Sequence, residues 1–316
     1  MKQLLTLLCT VLLLSGCSPV PAQDGGLTIT ASTYPVYLFA RAVTDGIPGV
    51  TVTRLDTGSV SCLHDYTLSV NDMKKIERAD VLALSGAGLE DFMSDALAAT
   101  DAHVIDCSQG VELLPAPGHH DHDHDHGHDH GHFDPHYWMD PLRAQTMIDN
   151  LYLGLSSLLP KQADRLRSNS AAARRQLQLC YDTALYRLEQ EALSIPGLIT
   201  FHDGFQYFAQ ALGLSLLRSI EEETGSEASA KEIVDISRLV QDQEIPVIFT
   251  EVNGSDATAN AIARETGCTV AQLSMLMDGP ESVEDDWFTA AYAALFQHNV
   301  TAVIHGFAGR EVPTLS

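Results

Sequence analysis

Apolar and polar positions alternate along the first hundred residues in a way that sets β-rich runs against helical ones. Leu27-Thr28-Ile29-Thr30-Ala31-Ser32 is a β-rich run, and Tyr34-Pro35 after it is a helix-start signal. Val50-Thr51-Val52-Thr53-Arg54-Leu55 reads as a second strand. Residues 69–78 read as a helix with Val70, Met73 and Ile76 on one face. Val81-Leu82-Ala83-Leu84 is a third strand ending in Ser85-Gly86; residues 89–99 follow as a helix and His103-Val104-Ile105-Asp106 as a fourth strand. Strands alternating with helices predict a parallel sheet built of βαβ units.

From Pro115 to His132 the pattern stops. The segment holds eight histidines and four aspartates, with only glycine and proline besides Ala116, and cannot bury a core. Residues 141–159 and 161–194 then read as helices. The second stretch is rich in Ala, Leu and Arg, and about 30 helical residues reach about 45 Å, longer than one small lobe needs. Alternation resumes with strands at 197–201, 214–220, 247–250 and 269–273, separated by helices at 205–212, 230–243 and 257–266 and closed by a helix at 286–298. The expected fold class is α/β: two lobes, each with a mainly parallel sheet flanked by helices, joined by a long rigid connector helix. The expected boundaries are 27–160, 161–194 and 195–316.

The N-terminus changes the picture of where this chain works. Lys2 is followed by an apolar run over residues 4–14, too short to span a bilayer core, in the pattern of a signal peptide over residues 1–16. Leu14-Ser15-Gly16-Cys17 resembles a lipobox, so Cys17 is expected to carry a lipid, with residues 17–26 as a Pro-containing tether. The protein is thus expected to be an exported, monomeric cell-membrane lipoprotein facing the extracytoplasmic side. A net charge of −24 argues against a nucleic-acid partner and suits solubility or cationic cargo. Cys62, Cys107, Cys180 and Cys268 remain after processing. Export permits disulfides; Cys62–Cys107 with Cys180–Cys268 is the economical pairing, and four buried free thiols are the alternative.

Three histidines sit where binding residues gather in open α/β sheets, beyond strand ends or before a helix. His64 lies in Ser61-Cys62-Leu63-His64-Asp65-Tyr66, His136 in Asp134-Pro135-His136-Tyr137-Trp138-Met139-Asp140-Pro141, and His202 in Phe201-His202-Asp203-Gly204. Neutral imidazole suits Zn²⁺, and three such ligands with one more make a tetrahedral site. His119, His120, His122, His124, His126, His128, His130 and His132 form a separate loop of alternating imidazole and carboxylate, suited to weak, auxiliary metal binding.

These segments resemble those of ZnuA/TroA-type solute-binding proteins, the cluster A-I zinc and manganese receptors of ABC importers. Residues 134–141 match D-P-H-x-W-x-D-P, His64-Asp65-Tyr66-Thr67-Leu68-Ser69-Val70-Asn71-Asp72 resembles the first ligand segment, and Phe201-His202-Asp203-Gly204-Phe205-Gln206-Tyr207 the third. The resemblance implies His64, His136 and His202 as metal ligands, and histidine rather than glutamate at the third position favours zinc. Two departures stand out. Leu63 replaces the glutamate that some zinc receptors place before the first ligand. Where the family carries an acidic L-D-P-L segment, this chain has Leu273-Ser274-Met275-Leu276, leaving Asp278 or water as fourth ligand.

The function so implied is an extracytoplasmic, high-affinity zinc receptor, not an enzyme, delivering Zn²⁺ to an ABC-importer permease in the membrane. Alternatives are a manganese-specific receptor of the same family, a three-histidine zinc hydrolase with Asp65, Asp203 or Glu251 as base, and a surface adhesin. The lack of a His-Glu-x-x-His signature counts against the hydrolase.

Overall fold

A computed structural model describes residues 26–57, 63, 66–116, 133–221, 228–252, 254, 256–279 and 289–314. The leader, Cys17, Cys62, His64 and the histidine loop lie outside them. In chain order the elements are β1 (Leu27–Ala31), α1 (Tyr34–Thr44), β2 (Val50–Arg54), α2 (Val70–Glu77), β3 (Val81–Leu84), α3 (Ser94–Ala99) and β4 (His103–Asp106). Then come α4 (Pro141–Leu158) and α5 (Ala163–Glu191), and after them β5 (Leu198–His202), α6 (Gln206–Ala211), β6 (Leu216–Glu221), α7 (Ala230–Asp242), β7 (Val247–Glu251), α8 (Ala257–Thr266), β8 (Thr269–Leu273) and α9 (Ala294–Phe307).

Among the described residues each lobe carries one four-stranded sheet, ordered β2-β1-β3-β4 and β6-β5-β7-β8, and every pairing within these sheets is parallel. In both, the order reverses beside the central pair, β1 with β3 and β5 with β7. Side chains at the carboxyl ends of those strands therefore face the crevice where open α/β sheets bind ligands.

Local chemistry fixes the helix starts nearest that crevice. Thr33 caps α1 by accepting the Val36 N–H, with Pro35 in the first turn where its missing donor costs nothing. Asp140 caps α4 through the Leu142 N–H at 2.8 Å, again with proline in the first turn. Helix α5 buries Leu166, Ser170, Ala173, Leu177, Cys180 and Ala184, spaced alternately four and three residues apart, as one helical face requires. That face packs on α4, α1 and α9. One continuous apolar core runs from Ile29 and Val81 through Leu151 and Leu177 to Phe249 and Val303. The lobes are thus not beads on a linker: burial shared across the connector holds them in register.

Three sequence expectations change. The closing helix, expected at 286–298, runs on to Phe307 as α9, because Val300, Ala302, Val303 and Ile304 are buried against the second sheet and the shared core. The helix expected over 89–99 is broken into a single 3-10 turn at Asp91–Met93 and the short α3. There Glu90 is pulled toward the first sheet by hydrogen bonds from the Ser32 Oγ and the Ser85 and Gly86 N–H groups. The Cys180–Cys268 pairing is not made. Cys107, Cys180 and Cys268 are free, buried thiols, Cys180 in the shared core and Cys268 in a separate cluster under α7 and α8. Among the described residues no helix is long and apolar enough to cross a membrane.

Candidate metal centre

His136 and His202 are brought together from opposite sides of the crevice. Their rings meet edge to face, with centroids 5.2 Å apart and planes at 87°. His202 is the last residue of β5, and His136 precedes the turn Tyr137–Met139 that leads into α4. Both are almost fully buried.

The surroundings of His136 prepare it to donate one nitrogen outward. Asp134 Oδ1 lies 2.8 Å from His136 Nδ1 and accepts the His136 backbone N–H at 2.9 Å, while Asp134 Oδ2 accepts from Gln206 Nε2 at 3.0 Å. With Nδ1–H given to the carboxylate, the lone pair of the neutral ring is at Nε2. This is the carboxylate–histidine arrangement that orients a metal-binding imidazole and raises its basicity. Tyr207 Oη donates to the Asp134 carbonyl at 2.7 Å and accepts the Leu114 N–H at 2.8 Å, tying the segment to α6. Burial disfavours a charged His136, but the Asp134 hydrogen bond and the negative charges of Asp134, Asp203 and Glu251 outweigh it and hold its pKa above the ordinary value.

His202 is set differently. Its Nδ1 accepts the Gly204 N–H at 2.9 Å, capping the turn that starts α6, so the neutral ring carries its proton at Nε2. Asp203 Oδ1 stands 3.5 Å from the same Nδ1. Glycine at 204 is a packing requirement: a Cβ there would sit 2.9 Å from His136 Cγ and 2.2 Å from Met275 Cε. Glu251 ends β7, the strand beside β5, and is buried at the same crevice.

His64 lies outside the described residues, between Leu63 and Tyr66. The frame around it is well tied. The Asp72 carboxylate accepts from the Asp56 N–H at 2.8 Å, the Tyr66 Oη at 2.7 Å and the Ser69 N–H at 2.9 Å. Among the described residues no three His, Cys, Asp or Glu side chains close into a metal site; His136 and His202 are the pair brought together. Of the other sequence candidates, Asp278 Oδ1 lies 3.1 Å from Arg54 Nη2. Ser274 Oγ accepts the Leu276 N–H at 3.0 Å. The loop histidines at 119, 120, 122, 124, 126, 128, 130 and 132 lie outside the described residues, bracketed by an antiparallel bridge between Pro115 and Phe133.

Asp134, Gly204 and Arg54 shape the crevice without being among the candidate residues that the sequence picks out. An aspartate two residues before a histidine is a signal in itself, because Asp side chains accept backbone N–H groups two residues on. Nothing in the linear sequence marks Gly204 or Arg54, whose partners are distant along the chain.

The family model described as ZnuA, zinc-uptake complex component A, periplasmic, matches residues 29–306. The zinc-binding lipoprotein AdcA of Streptococcus pneumoniae serotype 4 is 29% identical over 308 residues, covering 95% of this chain and 59% of AdcA. The chain thus spans about three-fifths of the length of that relative. The manganese-binding lipoprotein MntA of Bacillus subtilis is 26% identical over 304 residues, covering 92% of this chain and 94% of MntA. In fold, the laminin-binding protein Lmb of Streptococcus agalactiae, described as bifunctional in adhesion and metal transport, superposes with a TM-score of 0.73 at 22% identity, covering 89% of this chain and all of Lmb. With a match that spans both sheets and the connector between them, the chain belongs to the family of periplasmic A components of zinc-uptake complexes.

Proposed function

We propose that this protein captures Zn²⁺ on the outer side of the cytoplasmic membrane, held there by a lipid on Cys17, and passes it to an ABC-importer permease. The observation that carries the reading is the buried His136–His202 pair between the two sheets, with Asp134 fixing one ring from behind. His136 and His202 supply two neutral nitrogens, His64 the third, and Asp278 or water the fourth position of a tetrahedron. Zinc is the cargo and the protein performs no chemistry on it. What the chain contributes is preorganisation, since packed lobes present ligands that need little ordering on binding.

The two rings behave differently during capture. His136 offers Nε2 at once, because Nδ1–H already points at Asp134. For His202 to bind through its Nε2, the proton must move to Nδ1, which gives up the hydrogen bond from the Gly204 N–H and turns the ring toward Asp203 Oδ1, 3.5 Å away. Release to a permease reverses the shift.

A second reading, manganese as cargo, is supported by the likeness to MntA over nearly its full length. Imidazole at position 202 favours zinc over the harder manganese ion. The test is thermal: ligand that binds only the folded state stabilises it by mass action, by about 4 kcal/mol at a thousandfold excess over its dissociation constant. Zinc is expected to raise the melting temperature far more than manganese at matched concentration. The reverse order would make manganese the cargo.

A further inference from the structure

The segment over residues 274–279, after β8, crosses from one lobe to the other, and its contacts give it a task. Its start belongs to the second lobe: the Ser274 N–H donates to Asn299 Oδ1 at 2.8 Å, and Asn299 Nδ2 donates to the Ser274 carbonyl at 2.7 Å. The next residue reaches across, the Met275 carbonyl accepting from Trp138 Nε1 at 3.0 Å. Met275 Cε and the His136 ring both border the space that a Cβ on Gly204 would fill, so this methionine is a near neighbour of the metal-site imidazole. Leu276 is buried with φ at +59°, a left-handed conformation that costs a non-glycine residue energy and needs a reason. Two residues later the segment lands on the first lobe. Arg54 Nη2, at the end of β2, donates to Asp278 Oδ1 at 3.1 Å and to the Gly279 carbonyl at 3.3 Å. The same guanidinium stacks on the Tyr34 ring at 4.8 Å.

We propose that Arg54 and Asp278 form a cross-lobe latch that sets how long the metal stays bound, with Asp278 acting as latch and not as the fourth ligand. The inference rests on the reading of His136 and His202 as zinc ligands. Asp278 Oδ1 is committed twice, to Arg54 and to the Gly279 N–H at 2.8 Å. Turning that oxygen to a metal would break both of these hydrogen bonds. Held shut, the strap keeps Met275 over the site; unlatched, the strain at Leu276 favours its lifting. Water is then the fourth ligand.

The experiment follows zinc leaving the loaded full-length protein into an excess of a chromophoric chelator, by stopped flow, with Co²⁺ absorption as a report on coordination. Asp278 is 54% exposed, so Asp278→Asn disturbs no packing. It is expected to release zinc about 1.5- to fivefold faster, the range of an ion pair with one exposed partner. Association should change little, and the Co²⁺ spectrum should match that of the unaltered protein. The charge-reversed pair Arg54→Asp with Asp278→Arg should release more slowly than either single change. An unaltered release rate in Asp278→Asn overturns the latch, and so does a changed Co²⁺ spectrum accompanied by a large loss of equilibrium affinity, which would make Asp278 a ligand. His136→Ala reports on the ligand reading alone: if it keeps tight zinc, that reading fails whatever the release rate of Asp278→Asn.

Discussion

His136 and His202 come from segments on either side of the connector helix, yet their rings meet edge to face at 5.2 Å in the space between the two sheets. The first is oriented by a carboxylate, Asp134, and the second by a backbone N–H, that of Gly204. Two imidazoles buried this closely, beside the acidic groups Asp134, Asp203 and Glu251, form a site arranged to hold positive charge.

Asp134→Asn is expected to lower zinc affinity by about 10- to 100-fold, the usual effect of losing the partner of a metal-binding histidine. The fold should survive, since the amide oxygen can still accept the His136 N–H. Competition titration against a chelator of known affinity checks this. An unchanged affinity would mean that the Asp134–His136 pair serves only the turn.

Gly204→Ala places a methyl carbon 2.2 Å from Met275 Cε and 2.9 Å from His136 Cγ. The methionine can bend away, but the imidazole is held by Asp134 and relieves the clash only by tilting against that hydrogen bond. A destabilisation of about 1–3 kcal/mol is expected from the overpacking, together with weaker zinc binding. Denaturant melts and titrations on the same variant measure both, and normal zinc affinity would show that the ring had room to move.

Protons should compete with the metal. Zinc needs neutral imidazole, and His136 is held above the ordinary histidine value by Asp134, Asp203 and Glu251 against the opposing effect of burial, so competition begins before an unperturbed histidine would titrate. Affinity should fall steeply between roughly pH 7 and 5. In the metal-free protein the sign is opposite. A raised histidine pKa contributes stability that is full below the unfolded value and lost as pH rises through the folded one. The rise in melting temperature given by zinc should therefore shrink as pH falls. A pH-independent shift would point to ligands other than histidine.

Glu90 offers a separate titration. Burial pushes its carboxyl up to about 7, although the Ser32 hydroxyl and the Gly86 and Ser85 N–H groups favour the ionised form. The folded pKa exceeds the ordinary glutamate value, so the folded state holds the proton more tightly. Stability from that source is full below about pH 4 and disappears as pH rises to the neutral range. Glu90→Gln should flatten that part of the pH–stability curve of the metal-free protein. Parallel curves for the variant and the parent would remove Glu90 as its source.

Much of the fold can be read from the chain because strand and helix signals do not overlap. Leu27 to Ala31, Val81 to Leu84 and Thr269 to Leu273 are short β-rich runs that become strands as expected. The reading fails where tertiary contacts override local preference. Val300, Thr301, Val303 and Ile304 are β-branched and do not advertise a helix, yet burial of that face extends α9 to Phe307. At the site, strand ends and motif spacing single out His136 and His202, while their convergence depends on how two sheets pack. The partnership of Arg54 with Asp278 is equally invisible in sequence, since each residue alone looks like an ordinary surface charge.

Deleting residues 119–132 should leave one tight zinc equivalent and remove only weaker ones. Pro115 and Phe133 already pair across the base of that loop, so the ends stay close when it is cut. A His/Asp-rich segment with almost no apolar residues to order it pays conformational entropy on binding, and that cost limits its affinity. Loss of the tight equivalent in calorimetric titration would instead make a loop histidine the missing fourth ligand.

The most direct test of the central claim is anomalous diffraction at the zinc edge from crystals of the protein loaded with one equivalent of zinc. One strong peak is expected about 2.0–2.1 Å from a ring nitrogen of each of His64, His136 and His202, with a water completing the tetrahedron and Asp278 still on Arg54. A peak remote from the His136–His202 pair, or sites confined to the loop histidines, would contradict the account.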